Sequence, residues 1–326
     1  MMTLTDREIF CAAPKYSYND PSRGLAYEFV TVFKSLQDAF PSACFVDVYQ
    51  PGGIDELKSR LSTTSGARPI VLYIPFTGTI TPENAREIRR SAELGIFHLD
   101  DTWRIDTVKK YAHLCDWFTT SDPQYHWRYR GFTGSQVRHL PFGYDEISSA
   151  AYCKPFDQRD INISFVGARN EYRDHVVSRL NRLGINVDCF GAGWNAGAVP
   201  QEDFFKIVGR SRFSLNLSNS SQWDARFLVR YPIALLRNLR SNKTIEQLKA
   251  RHLEISALGA CQITFYSSGL EKIFKIGEDI MLYPNVEELA YILTNMTDEE
   301  ARTVAENGRQ AVSKLGYQTA FRRLFG

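Results

Sequence analysis

Between Arg226 and Arg251 the chain carries seven basic residues, Arg226, Arg230, Arg237, Arg240, Lys243, Lys249 and Arg251, against a single acid, Glu246. Such a run is either a solvated face or an anion site. Thr244-Ile245-Glu246-Gln247 fits a capping box, with Thr244 as N-cap and Gln247 three residues on, so a helix is predicted to begin there. Its free N–H groups and positive dipole end would suit a diphosphate, with Lys249 and Arg251 in the first two turns. Glu254 lies farther along the same helix among apolar and small residues. A buried carboxylate is costly unless it accepts strong hydrogen bonds. Two partners would satisfy it: a ribose diol, or an arginine of the protein itself.

Other candidates stand at predicted strand ends. Gly167 directly follows a strand and would let backbone approach phosphate, with Arg169 and Arg173 near enough to neutralise charge; a tight turn with two surface arginines is the plainer reading. Asn216, Ser218 and Ser220 alternate at another strand end and so point one way, as partners for sugar or base. Asp100 and Asp101 end a strand as well, where one could take a proton from an acceptor hydroxyl or merely cap the next helix. The loop from Lys15 to Gly24, with Tyr18 and Asp20, suits a sugar acceptor and equally an ordinary polar turn.

The elements that must position these residues alternate strand and helix, twice over. Apolar runs at Ile9–Ala13, Cys44–Tyr49, Pro69–Pro75, Gly95–Leu99, Trp117–Thr120 and Gln136–Leu140 are predicted strands, with amphipathic stretches between them. After a polar stretch from Asp145 to Asp160 a second set opens at Ile161–Val166. β-α-β repetition implies parallel sheets, hence two doubly wound domains of α/β class, 1–150 and 151–326, with ligands at the carboxyl ends of the strands. A chain of 326 residues suits that division.

Composition narrows the function. A net charge of +2 does not call for nucleic acid as a partner. The opening MMTLTDREIF has no basic stretch leading into an apolar run, so no secretory signal is expected, and with it no periplasmic binding protein. No apolar run nears the ~20 residues that cross a bilayer. The six cysteines are scattered without a C-x-x-C pair, which fits reduced thiols in a cytoplasmic protein. No H-E-x-x-H and no D-x-D pair is present, so no metal and no cofactor are expected. Gly191-Ala192-Gly193 has its next glycine at Gly197 and misses the dinucleotide fingerprint, which disfavours an NAD(P)-dependent oxidoreductase.

The run Leu248-Lys249-Ala250-Arg251-His252-Leu253-Glu254-Ile255-Ser256-Ala257-Leu258-Gly259 resembles the "K-x-R-x-F-E-I-P-A-x-G" signature of CgeB-like glycosyltransferases, relatives of glycosyl transferase group 1. Ile163-Ser164-Phe165-Val166-Gly167, Gly191-Ala192-Gly193-Trp194 and Phe97-His98-Leu99-Asp100-Asp101 resemble other motifs of that family, in its order. Ser256 stands where the family has proline, and the Ser221–Asn242 stretch is longer than its pattern. The resemblance implies a GT-B fold, two Rossmann-like domains facing each other across a cleft. It also implies a nucleotide-sugar donor on the C-terminal domain and an acceptor on the N-terminal one.

Two glutamates eight apart contact sugar and ribose in the wider group. Glu246 and Glu254 have that spacing, with Glu254 at the ribose position; Glu246 could instead be an exposed first-turn acid. The expectation is metal-independent transfer, with retention, to a glycan or other surface-polysaccharide precursor. The alternatives are an oxidoreductase or a non-catalytic nucleotide- or sugar-binding relative. Tyr317, Phe321, Leu324 and Phe325 recur at helical spacing, so the last helix (317–326) must bury one face; the family pattern sends it back to the N-terminal domain. Arg322 and Arg323 on that helix raise peripheral contact with the inner face of a membrane.

Overall fold

The computed structural model describes residues 7–76, 80–132 and 136–326. It divides into two compact units, residues 1–145 with 315–326, and residues 146–314. Among the described residues no helix is long and apolar enough to cross a membrane, and none of the six cysteines is in a disulfide.

The first unit is built on six parallel strands, β1 (Ile9–Ala13), β2 (Cys44–Asp47), β3 (Ile70–Tyr73), β4 (Glu93–Ile96), β5 (Trp117–Thr120) and β6 (Gln136–His139). Their order is β2-β1-β3-β4-β5-β6. The strands read as continuous apolar runs because both faces are covered. In β1, Phe10 and Ala12 feed one core while Ile9, Cys11 and Ala13 feed the other, the period-two alternation of a strand buried on both sides.

The second of these cores is closed by the C-terminal helix, Tyr317–Phe325. Tyr317, Phe321 and Phe325 stack along it at 5.6 and 6.2 Å between centroids. Tyr317 meets Phe97 at 6.1 Å, and Phe325 meets Trp117 at 5.9 Å. Gly143 makes room, since a Cβ there would stand 2.7 Å from the Tyr317 ring. Polar contacts hold the helix in register: the Tyr27 hydroxyl donates to that of Tyr317 at 3.2 Å, and Gln318 Nε2 to Asp38 at 3.1 Å.

The second unit carries five parallel strands, β7 (Ile161–Val166), β8 (Asp188–Phe190), β9 (Ser211–Asn216), β10 (Cys261–Thr264) and β11 (Met281–Leu282), in the order β11-β10-β9-β7-β8. With its first strand between the second and third, each sheet has a topological switch point, at β1/β3 and at β7/β9. One face of the second sheet is apolar through Ile163, Phe165, Phe213, Leu215 and Ile263. The other presents buried Ser164, Ser214, Gln262 and Thr264. The helix Ala250–Ala257 packs against β10, and its Ser256 donates to Gln262 Oε1 at 3.0 Å.

That helix begins later than the sequence pattern predicts. Thr244 caps nothing; Lys249 is the N-cap, and Glu246 stands in the loop before it. The reason is pairing: Ser221 donates its N–H to Lys243 O at 2.8 Å, and Gln247 bridges Ser268 beside the β10 end. Extended backbone wins over the capping box here. The longer stretch upstream holds two short helices, Ala225–Arg230, capped by Asp224, and Pro232–Arg240, with proline at its first position.

Candidate functional site

The switch point of the second unit is organised by Arg173. Its guanidinium donates to the carbonyls of Ala168 (2.7 Å), Leu217 (3.2 Å) and Ser218 (3.2 Å), so it ties the segment after β7 to the segment after β9. Burial brings its pKa down to about 10. These bonds make Arg173 a positioning residue rather than a free counter-charge. Gly167 is pressed by Gly191, whose added Cβ would lie 2.4 Å from Gly167 O, and its carbonyl accepts from Trp194 Nε1 at 2.9 Å. Arg169 pairs with Asp174 at 2.7 Å and lies over the Trp194 ring.

Glu246 is held beside this point. One carboxylate oxygen, Oε1, accepts from the hydroxyls of Ser218 and Ser220 and, at 3.3 Å, from Ser220 N. The other, Oε2, is buried without a hydrogen-bond donor; the nearest cation is Lys249 Nζ at 4.0 Å. Lys249 Nζ in turn donates to Asn219 Oδ1. Asn216, at the end of β9, has a buried amide nitrogen with no acceptor. The buried hydroxyls of Thr264, its register partner on β10, and of Ser267 also lack partners. Buried polar atoms are nearly always paired, so these orphans gathered at the carboxyl edge of one sheet are notable.

The helix Ala250–Ala257 starts at the same edge. His252 Nδ1 accepts the Lys249 N–H at 3.1 Å, and burial lowers the imidazole pKa to about 3, so it stays neutral. Glu254, 1% exposed, accepts from Gln201 Nε2 at 2.8 Å and lies 3.4 Å from Arg251 Nη1. The arginine partner weighed from the sequence is thus present, on the same helix. The Arg251 guanidinium carbon lies over the Phe204 ring, 3.7 Å from its centroid. Of the basic run, only Lys249 and Arg251 flank this helix start. Arg226, Arg230 and Arg237 pair instead with Glu287, Asp174 and Glu171.

In the first unit, Asp20 caps the turn after it, accepting from Ser22 N at 2.9 Å and Ser22 Oγ at 2.7 Å. Those bonds lower its pKa. Tyr18 is 69% exposed and, with Asn19, takes a positive φ of 57°, a conformation that concentrates at binding loops; Gly24 turns the chain back at φ 79°. Asp101 cannot serve as an acceptor's base: it is fully buried, its carboxylate taken by Thr120, by Ser121 at 3.3 Å and by the Tyr129 hydroxyl at 2.6 Å. It fixes the end of β5. Asp100 beside it is half-buried.

Residues 169–323 match the sequence model of the glycosyl transferase-like family. Solved structures agree in fold across nearly the whole chain. HepE of Anabaena, solved with UDP-glucose, matches with a TM-score of 0.58 at 10% identity, covering 98% of each chain. Sucrose-phosphate synthase of Thermosynechococcus elongatus matches with 0.58 at 12%, covering 98% of this chain and 97% of the other. Residues 169–323 are thus glycosyl transferase-like in sequence, and the whole chain has the GT-B fold. No curated protein sequence is detectably similar to it.

Two further residues stand out in the structure and carry little signal in the sequence. His252 stands three residues after the N-cap, the position from which side chains reach back, but that position is defined only once the helix start is known. Glu28 opens a π-helical turn, Glu28–Phe33, a feature frequent at functional sites. Burial first, then the neighbouring charge of Asp100, pushes its carboxyl above the ordinary value. No spacing signal connects Glu28 with Asp100, because they come from different β-α units. Among the described residues no group of three or more His, Cys, Asp or Glu side chains could hold a metal.

Proposed function

We propose that the protein transfers a sugar from a nucleotide-sugar donor, held by the unit of residues 146–314, to a hydroxyl of a glycan or surface-polysaccharide precursor. The observation that carries this is the buried, donorless Oε2 of Glu246, beside a helix N-terminus and Lys249. An anion suits the helix start, and a carboxylate oxygen without a donor suits sugar hydroxyls; a nucleotide sugar brings both. Glu254 takes the ribose hydroxyls in this reading, displacing Gln201, while Asn216 and Ser218 complete the polar lining. The turn at Gly167, buttressed by Arg169 and Arg173, lets backbone approach the phosphates.

The bond from anomeric carbon to phosphate oxygen breaks, and the departing charge is met by Lys249, Arg251 and the helix dipole without a metal. The acceptor oxygen takes the sugar, with retention, and Asp100 accepts its proton. Tyr18, Asp20 and the Gly24 turn bind the acceptor. Cysteines that form no disulfide fit a reducing, cytoplasmic setting. A dinucleotide reading is disfavoured because the Gly191–Gly193 turn follows β8, the edge strand, rather than β7.

The test is thermal stabilisation by UDP, GDP, ADP, CMP and NAD, followed by transfer from the matching sugar nucleotide. Binding to the folded state raises the melting temperature even for a modest site. Stabilisation by NAD alone would overturn the reading.

A further inference from the structure

We infer that the segment from Trp223 to Lys243 docks this protein on an anionic membrane surface. This is independent of the donor reading. Six of the fifteen large apolar side chains exposed among the described residues fall between Trp223 and Leu239: Trp223, Val229, Ile233, Leu235, Leu236 and Leu239. Single exposed apolar residues are ordinary, but a cluster is not.

The clustering follows from helix phase. In Pro232–Arg240, Ala234 is buried and Asn238 partly so, and these two face the protein. At ~100° per residue the opposite direction belongs to Leu236, flanked by Ile233 and Leu239. An apolar stripe at i, i+3 and i+6 therefore points away from the body of its own unit. Val229, at 84% exposure, ends the preceding helix on the same hairpin.

The charges identify the partner. The segment holds Arg226, Arg230, Arg237, Arg240 and Lys243 against one acid, Asp224. Arg226, Arg230 and Arg237 also meet Glu287, Asp174 and Glu171, which anchor the hairpin while leaving the Arg226 and Arg237 side chains 63% and 65% exposed. Apolar side chains flanked by arginines are what an interfacial helix presents to anionic headgroups. A second copy is disfavoured, because a two-fold contact would set these arginines against themselves.

The experiment is co-sedimentation of the full chain, without nucleotide, with vesicles of phosphatidylglycerol and phosphatidylethanolamine, and with phosphatidylcholine alone. The protein sediments with the first and not the second, and raised salt weakens the binding. Ile233→Ser/Leu236→Ser/Leu239→Ser lowers the bound fraction about tenfold or more, as does Arg240→Glu/Lys243→Glu. Both variants keep wild-type circular dichroism and any nucleotide-induced thermal shift, so failure here is distinct from failure of the donor site. Equal binding to neutral vesicles, no binding to anionic ones, or a dimer in solution that the triple variant dissolves would each overturn the inference.

Discussion

Lys249 donates its backbone N–H to Nδ1 of His252 at 3.1 Å, and that bond marks where the Glu254 helix begins. The same Nδ1 also lies 3.3 Å from the Lys249 carbonyl oxygen, so both backbone groups of the N-cap residue meet this ring nitrogen. Burial holds His252 at about 3, and His98 likewise. A histidine lowered from 6.5 in the folded state contributes stability that is full above pH 6.5 and is lost as pH falls towards 3. The unfolding free energy from urea titration should therefore fall on acidification, by up to about 1.4 kcal/mol per pH unit for each group. His252→Asn should flatten that slope by one group. An unchanged slope would show that the imidazole is protonated in the folded protein.

Glu246→Gln and Glu254→Gln should separate the two carboxylates. The first should weaken a sugar nucleotide while sparing the nucleoside diphosphate; the second should weaken both. Losing a charge-assisted hydrogen bond costs about 1.5–3 kcal/mol, or roughly ten- to a hundredfold in affinity. Calorimetry with both ligands reads the difference, and equal effects of the two substitutions would contradict the assignment.

Glu28, half-buried in its π-helical turn, titrates above the usual 4.5 because of desolvation first and the charge of Asp100 second. A carboxyl raised in the folded state contributes stability below its unfolded value and loses it as pH rises through the folded one. Glu28→Gln should therefore be more stable than the parent near neutral pH, and the gap should close near pH 4. Denaturant midpoints at both conditions check this; a destabilised variant at neutral pH would mean that the carboxylate is well paired.

Phe321→Ala should cost about 3–5 kcal/mol, since it empties a position between Tyr317, Phe325 and Phe97. Scanning calorimetry should show the loss in the unit of residues 1–145 and 315–326. Nucleotide binding by the other unit should persist.

Transfer activity should survive chelation, with basic side chains and the helix start meeting the leaving group's charge. Abolition by EDTA with recovery on adding magnesium or manganese would refute the metal-independent reading.

What the sequence determined by itself was pattern. Apolar runs such as Ile9–Ala13 and Ile161–Val166 alternate with amphipathic stretches, and that periodicity fixes α/β class and parallel sheets, because only strands covered on both faces read so continuously. The burial of Glu254 was legible too, from its apolar neighbours. The tertiary structure decided where the basic run is divided. Backbone pairing of Lys243 and Gln247 with segments far away in sequence outweighed a local capping signal, moved the helix start to Ala250 and left Glu246 in the loop against Ser218 and Ser220. It decided also that Asp101 is a structural group, because Tyr129 and Thr120 reach it from other elements. Local propensity is worth tenths of a kcal/mol to about one, whereas buried charges and orphaned hydrogen bonds cost several, so long-range partners have the last word.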